Sequence, residues 1–441
     1  MSKRTKVVDL KFKKAVHATF DGKCISSDAG VLLLGQLDSK VGLTKRLAAA
    51  VKDKRCGLVE HSLEELVRGR VLAIAQGYED CNDFEHLRME PLFQTSVGEV
   101  GRPLASQPTL SRFENATTLD DIVEAKGVLL EHFIARHRRA GTTPKRLTLD
   151  VDSTDDETHG QQELTAFNGF YGGYVYMQLV MTTSEGDLLY VALVPPKLNL
   201  RLTAMMAIEE VVTRLRCEWP NLELRLRADN GFAMPALYTL CEKHGVEYFL
   251  NAGSHAVFQN APTTLEALAL AEKEHQEEKA SERTVMVYAE MQHRAKSWDV
   301  DRRIIIKAQR TLIGPDTRFL VTNSKLSPKG VYEEYSQRGQ AENFIKDLKR
   351  GVQSDRLSCH RYVANALRLL LHAVAYQLLH ELRRLAPERL KVARLETLRL
   401  AVLRVGALVT DTARRIRVQM SEAFPYRTEW VQLASAISAI G

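Results

Sequence analysis

Arg146-Leu-Thr-Leu-Asp-Val-Asp-Ser-Thr154 alternates apolar and polar side chains, and that alternation decides how the chain is read. At a period of two, Leu147, Leu149 and Val151 share one face of a strand, and Asp150 and Asp152 share the other. Aspartate is disfavoured in strands and costly to bury unless it is paired or bound to metal, so two acids on one face of a core-like strand call for partners. A strand-end cap or a solvent-facing position would account for either acid taken alone.

The same period continues downstream. Gly172–Thr182 (GGYVYMQLVMT) and Asp187–Pro195 (DLLYVALVP) are bounded by Gly, Asp or Pro and predict two further strands. Apolar spacing of three and four then predicts a helix over Thr203–Cys217, a strand at Leu222–Arg227, a helix at Pro235–His244 and a short strand, VEYFLN. The expected order is βββαβαβ, a mixed α/β sheet that opens with a hairpin. A charged run from Leu265 to Arg283 reads as an exposed helix. RTVMVYAEM, RRIIIKAQ and RFLVTNS follow as strands, making 253–327 a β-rich insertion in sequence. A long helix is expected from Tyr332 to about Arg350, with helical chain beyond it.

Upstream, Gly30–Val51, Ser62–Ala75 and Leu119–Arg139 carry helical spacing. Between the last two lies SQPTLSRFEN, where Ser106 or Ser111 can cap short helices and Pro108 suits an early helical position. Short helices and a turn permit a helix-turn-helix reader of DNA, and plain helix packing fits equally. The expected domains are a helical 1–145 engaging DNA ends, a catalytic core in two parts (146–252 and 328–375), the insertion 253–327, and a helical, basic 376–441.

With 45% hydrophobic and 26% charged residues in 441, the chain has enough apolar material for a large core. Its +6 net charge is unevenly placed: residues 343–441 hold 17 Lys and Arg against 8 Asp and Glu, so the remainder sums to −3. That local field suits a phosphate backbone, and a solvated helical surface has the same composition. Six scattered cysteines without a CxxC pair suggest neither zinc nor a disulfide framework and fit a reducing cytoplasm. The basic opening lacks an apolar segment, so no secretory leader is expected; Arg368 and His372 interrupt the longest apolar stretch, which reads as a buried helix rather than a membrane span. His159-Gly160 and Cys359-His360 fit no zinc spacing. No P-loop, GxSxG or dinucleotide fingerprint is present, so no nucleotide cofactor is implied.

Two more acids join Asp152. Asp229 ends a strand in LELRLRADNGF, the end of an α/β strand where ligand chemistry is commonest, although Asp before Asn-Gly is also an ordinary turn. On the expected long helix, Tyr335, Arg338, Glu342, Lys346 and Lys349 fall in one stripe about 80° wide. An acid, three cations and a tyrosine do not make an apolar packing face. An exposed helix with ion pairs such as Glu342 to Lys346 gives a similar pattern. Together the three acids have a chemical logic: in-line cleavage of a phosphodiester needs an activated nucleophile and a stabilised leaving oxyanion, and two divalent ions about 4 Å apart supply both. Magnesium takes a few carboxylates and keeps water and phosphate oxygens in its shell. Arg338 and Lys349 suit neighbouring phosphates.

These residues resemble bacterial insertion-sequence transposases of the DDE class, in the branch marked by Tyr-x2-Arg-x3-Glu-x6-Lys. Tyr335, Arg338, Glu342 and Lys349 match that spacing without a gap, and Asp152-Ser153-Thr154 and Arg227-Ala228-Asp229-x-Gly231-Phe232 match the strand motifs. The resemblance runs from about residue 145 to 375 and more loosely over the N-terminal helices. It implies an RNase H-like core interrupted between the second Asp and the Glu. It also implies two Mg2+ ions, with Mn2+ as substitute, on Asp152, Asp229 and Glu342, and Asp150 is the runner-up for the first acid. Double-stranded DNA would be the substrate: terminal inverted repeats, contacted by Tyr335, Arg338, Lys346 and Lys349, and a target, acted on by a homodimer in a cut-and-paste reaction in the bacterial cytoplasm. Some relatives pass through a DNA hairpin with a base flipped onto an aromatic residue of the insertion. Trp298 is a candidate there by position and basic neighbours, and a core tryptophan is the other reading.

Overall fold

Helical spacing at the start of the chain yields helices broken where the backbone demands it. Gly30–Val51 divides at Gly42, whose φ of 69° is open to glycine at little cost, giving helices Val31–Val41 and Leu43–Ala49. Ser62 opens the helix Leu63–Gln76 as expected: its hydroxyl accepts from Glu65 N at 3.1 Å, and the Glu65 carboxylate accepts from Ser62 N at 2.6 Å. A reciprocal cap of this kind is worth about 1 kcal/mol. SQPTLSRFEN forms the helix Gln107–Ala116, which buries Leu110, Phe113 and Glu114. The Glu114 carboxylate meets Arg70 at 3.0 Å with both side chains fully buried, so this segment contributes packing and a charge pair to its unit. Leu119–Arg139 also divides, into Leu119–Ala125 and Val128–Arg139.

The computed structural model describes residues 8–22, 24–158, 160–277, 284–311 and 313–440; His159 lies outside them. The chain forms two compact units, Met1–Ala116 with Val374–Gly441, and Thr117–Ala373. The first begins with strands β1 (Val8–Lys11) and β2 (Ala15–Ala18), an exposed hairpin, and β3 (Ile25–Ser26).

The second unit is built on one nine-stranded sheet. Its strands are β4 (Arg146–Glu157), β5 (Ala166–Asn168), β6 (Gly173–Thr183), β7 (Leu188–Val194), β8 (Glu223–Ala228), β9 (Glu247–Asn251), β10 (Val285–His293), β11 (Arg302–Thr311) and β12 (Gly314–Thr322). The order is β10-β11-β12-β9-β8-β4-β6-β5, with β7 also paired to β6. β4, β8 and β9 run parallel to one another, and the remaining pairings are antiparallel. Thus a hairpin start and two crossover helices, Leu200–Glu218 and Pro235–Lys243, produce the expected mixed α/β core. The three strands of 253–327 extend this sheet, because β12 pairs with β9. Leu149, Val151, Leu179, Leu226 and Leu250 are fully or almost fully buried at its centre, with Ile208, Val211 and Leu215 of the first crossover helix packed in the same cluster.

The last part of the chain was read as helical and departs from that. β13 (Ala407–Thr412) and β14 (Arg415–Met420) form a hairpin that joins β3 in a three-stranded sheet, and only then comes the helix Arg427–Ser438. Ile416, Val418 and Met420 alternate with polar residues, a period of two too brief to stand out between helices. No described helix is long and apolar enough to cross a membrane.

Candidate active site

Backbone register brings the first two acids together. β4 and β8 are parallel with Val151 opposite Ala228, so Asp152 and Asp229 follow as neighbours one residue further along both strands. Asp229 enters a tight turn in which its Oδ1 accepts from Gly231 N at 2.9 Å. A Cβ on Gly231 would lie 2.9 Å from that same oxygen, so only glycine leaves the carboxylate in place.

The third acid arrives on a broken helix. Expected as one rod, Tyr332–Arg350 is a helix Pro328–Ser336, a turn at Gln337–Arg338, a helix Gly339–Lys346 and a wide π turn Asp347–Gly351. The turn places Arg338 over the strand acids: its Nη1 lies 3.1 Å from Asp152 Oδ2 and 3.9 Å from Glu342 Oε1. Arg338 is largely buried, whereas the Glu342 side chain is 57% exposed and free to move toward a ligand. The Glu342–Lys346 pair does not form among the described residues; Lys346 is exposed.

The electrostatics follow from burial. Desolvation pushes the Asp152 carboxyl up to about 6, Asp229 and Glu342 push in the same direction, and Arg338 opposes them. Asp152 therefore carries charge that its surroundings only partly compensate, the condition under which a cation is welcome. As the side chains stand, no group of three or more His, Cys, Asp or Glu residues is gathered to hold a metal ion among the described residues, and Arg338 occupies the space between Asp152 and Glu342.

The other candidates have different surroundings. Asp150 shares the face of Asp152, but both of its oxygens receive bonds from buried Arg227, at 2.7 Å each, which leaves it no room for a ligand. Arg227 Nη1 also donates to the Glu334 carbonyl at 2.9 Å, tying β8 to the helix that carries Tyr335. Tyr335 packs against Phe249, Ile305, Leu320 and Val331, and burial raises its hydroxyl. Lys349, expected on the Glu342 stripe, is carried by the π turn toward β4, where Nζ donates to Asp155 O at 2.9 Å and Thr154 Oγ1 at 3.2 Å and lies 3.4 Å from Asp155 Oδ1. Trp298 is half-buried, edge-on to Tyr238 and His293 with Arg302 over its ring, so it packs as a core tryptophan. Cys359 is buried, with its N–H donating to Asn365 Oδ1 at 2.9 Å.

Under the DNA cleavage that the sequence resemblance implies, Lys349→Ala is expected, with Lys349 so engaged, to slow cutting yet leave the salt dependence of DNA binding unaltered. A lysine on a phosphate would instead reduce the slope of log K against log salt by about 0.9 when removed. Binding isotherms at several salt concentrations distinguish the two.

Sequence reasoning passed over Asp156, although the acid-rich run Asp152–Glu157 signalled it. Its Oδ2 accepts from Gln178 Nε2 at 3.2 Å, its Oδ1 has no partner among the described residues, and the side chain is almost fully buried. Burial, reinforced by Asp355 and Asp155, pushes its carboxyl up to about 8. A folded pKa above the unfolded value means stability is full below about pH 4 and is lost as pH rises through about 8. Asp156→Asn, a neutral isostere, is therefore expected to melt higher than wild type at pH 8.5, with the gap closing near pH 4. Melting curves at both pH values check it, and an unchanged gap would show that Asp156 stays ionised.

Comparison with known proteins adds a family. The model of the family described as Transposase DDE domain group 1 matches residues 8–441. Among solved structures, the piggyBac transposase synaptic complex with hairpin DNA is similar at 13% identity over 94% of this chain and 85% of that chain, with a TM-score of 0.44. The Mos1 transposase paired-end complex with left transposon end is similar at 13% identity over 45% of this chain and 61% of that chain, with a TM-score of 0.18. No curated protein matches the chain in sequence. The family match spans both units and the strands and helices that carry all three acids: the chain belongs to the DDE transposases, domain group 1.

Proposed function

We propose that this transposase has an RNase H-like core, binds the terminal inverted repeats of an insertion sequence as double-stranded DNA, cuts them, and joins the freed 3′ end to target DNA. What supports the reading above all is the β4–β8 register, which sets Asp152 beside Asp229, with Arg338 spanning from Asp152 to Glu342. In this reading Asp152, Asp229 and Glu342 hold two Mg2+ ions, or Mn2+ in their place. Bound there, the ions supply an activated nucleophile and stabilise the leaving oxyanion. Hard carboxylate oxygens and the undercompensated charge on Asp152 fit such a cation.

The chain's own residues do the rest. The Asp229 turn fixes one carboxylate against its backbone, whereas exposed Glu342 can adjust as substrate enters. Arg338, always protonated, holds Asp152 when the site is empty of substrate and offers its planar donors to a phosphate oxygen when DNA arrives. Joining two ends in one reaction asks for a homodimer on DNA, acting in the bacterial cytoplasm.

The test is incubation of the protein with Mg2+ or Mn2+ and a duplex carrying the inverted repeats that flank its gene, together with a target plasmid. Nicks at the repeat boundary and joined products support the proposal. Nicks without joining would reduce it to a nuclease, and binding without nicks would reduce it to a DNA-binding relative.

A further inference from the structure

Part of the positive charge of residues 343–441 is gathered on the β13–β14 hairpin, in the unit that does not carry the three acids. From Gly406 to Ser421 the charged residues are Arg414, Arg415, Arg417 and Asp411, a local +2. All three arginines are exposed, and none has an ion pair or side-chain hydrogen bond among the described residues. Cations on an edge strand also serve to keep it from pairing with other chains, so charge alone does not separate a binding surface from a guarded edge.

Register separates them. Val409 lies opposite Val418 on one face of the hairpin, the first buried and the second half-buried. One residue along, Thr410 stands opposite Arg417 and Thr412 opposite Arg415, all four exposed, with Gln419 on the same side. That outward face holds hydroxyl, amide and guanidinium groups and no acid, because Asp411 alternates to the other face. The third strand stops short: β3 pairs with Ala407 and Leu408, so the outer half of the hairpin continues as a two-stranded ribbon. Its tip is ordered, with Thr412 Oγ1 donating to Arg415 O at 2.7 Å and accepting from Arg415 N at 3.3 Å.

Shape and charge select the occupant. The major groove of duplex DNA, about 12 Å wide, admits a two-stranded ribbon, and its walls are phosphates that arginine binds with paired donors. A second copy is the poorer fit. β14 is the outer strand of its sheet, and pairing there with another β14 would set the arginines of the two copies against one another.

We propose that the β13–β14 ribbon is a duplex-binding element that enters a major groove of DNA, with Arg414, Arg415 and Arg417 on the phosphates that line it. The inference rests on the DNA binding proposed above and adds to it a contact made by the other unit.

The test compares wild type with Arg414→Gln/Arg415→Gln/Arg417→Gln for binding to the repeat duplex without divalent ions, so that binding is read apart from cutting. Each lost phosphate contact lowers the slope of log K against log salt by about 0.9, so the triple variant is expected to lose about 2 to 3 from the slope and to bind about tenfold more weakly or worse near 0.1 M salt. Methylation of guanine N7, which faces the major groove, is expected to be blocked at some repeat positions by wild type and restored there by the variant. Because the three side chains are exposed, melting should be unchanged. An unchanged slope overturns the proposal, and so does a lower slope with identical N7 protection, which would put the arginines outside the groove. A variant that binds less only because its self-association has changed, as sedimentation would show, assigns the ribbon to a second copy and also overturns it. If wild type itself does not bind the repeat duplex, the DNA reading has failed and this inference goes with it.

Discussion

On the two-metal reading proposed above, replacing Glu342 with alanine is expected to slow cleavage at the repeat boundary by on the order of a thousandfold or more, since losing a carboxylate ligand from such a site removes several kcal/mol of transition-state stabilisation. The same change should cost at most about 1 kcal/mol of folding stability, because Glu342 is largely exposed and its only ion pair among the described residues is 3.9 Å long. Activity and stability thus separate at this position. Cleavage rates, repeat binding and melting measured on one preparation decide it. A variant that folds, binds the repeats and cuts them at the wild-type rate would remove Glu342 from the active site.

Arg227 is expected to behave in the opposite way. Its guanidinium is almost wholly buried and makes two 2.7 Å bonds to Asp150, which is buried as well. Arg227→Met leaves that carboxylate desolvated and unpaired, and the loss of one partner from such a pair typically costs about 3–5 kcal/mol. Removing both charges is gentler: Asp150→Leu with Arg227→Met should recover a large part of the loss in chemical denaturation. If the double variant is as unstable as the single, the damage lies in the separate bond from Arg227 to the Glu334 carbonyl. The two results together also distinguish Asp150 from Asp152, neighbours on one strand face with different partners.

Much of the fold is legible in the sequence. Asp152 and Asp229 stand out because acids break the pattern of the strands that carry them, and parallel register brings the two together. Glu342 stands out on a helical stripe, and the structure keeps only part of that stripe. A straight helix at 100° per residue ignores the turn at Gln337–Arg338 and the π turn after Lys346. Neither break has a proline or a cap to announce it, and the π turn redirects Lys349 to β4. Strand alternation put Asp150 and Asp152 on equal terms, because alternation knows faces but not partners, and Arg227 was hidden inside a motif read for its aspartate. Phe167, Phe170 and Tyr171 fall outside every expected strand, because β5 (Ala166–Asn168) is too short to show a period of two. Likewise β10, β11 and β12 were visible as strands, but their attachment beside β9 is a long-range pairing that local sequence does not encode.

The first unit is assembled from both ends of the chain. β3 pairs with β13, and Arg404 donates to Asp28 at 2.6 Å within it. On a ribosome adding about 5–20 residues per second, the intervening residues 117–373 alone take on the order of 13 to 50 s to appear. For that interval the N-terminal helices wait without the strands and side chains that complete their unit. The second unit, continuous in sequence, has all of its own residues in hand before the first does. Synthesis therefore imposes an order on maturation: the unit that carries Asp152, Asp229 and Glu342 can close first, and the unit made from the two ends can close only when translation is nearly over.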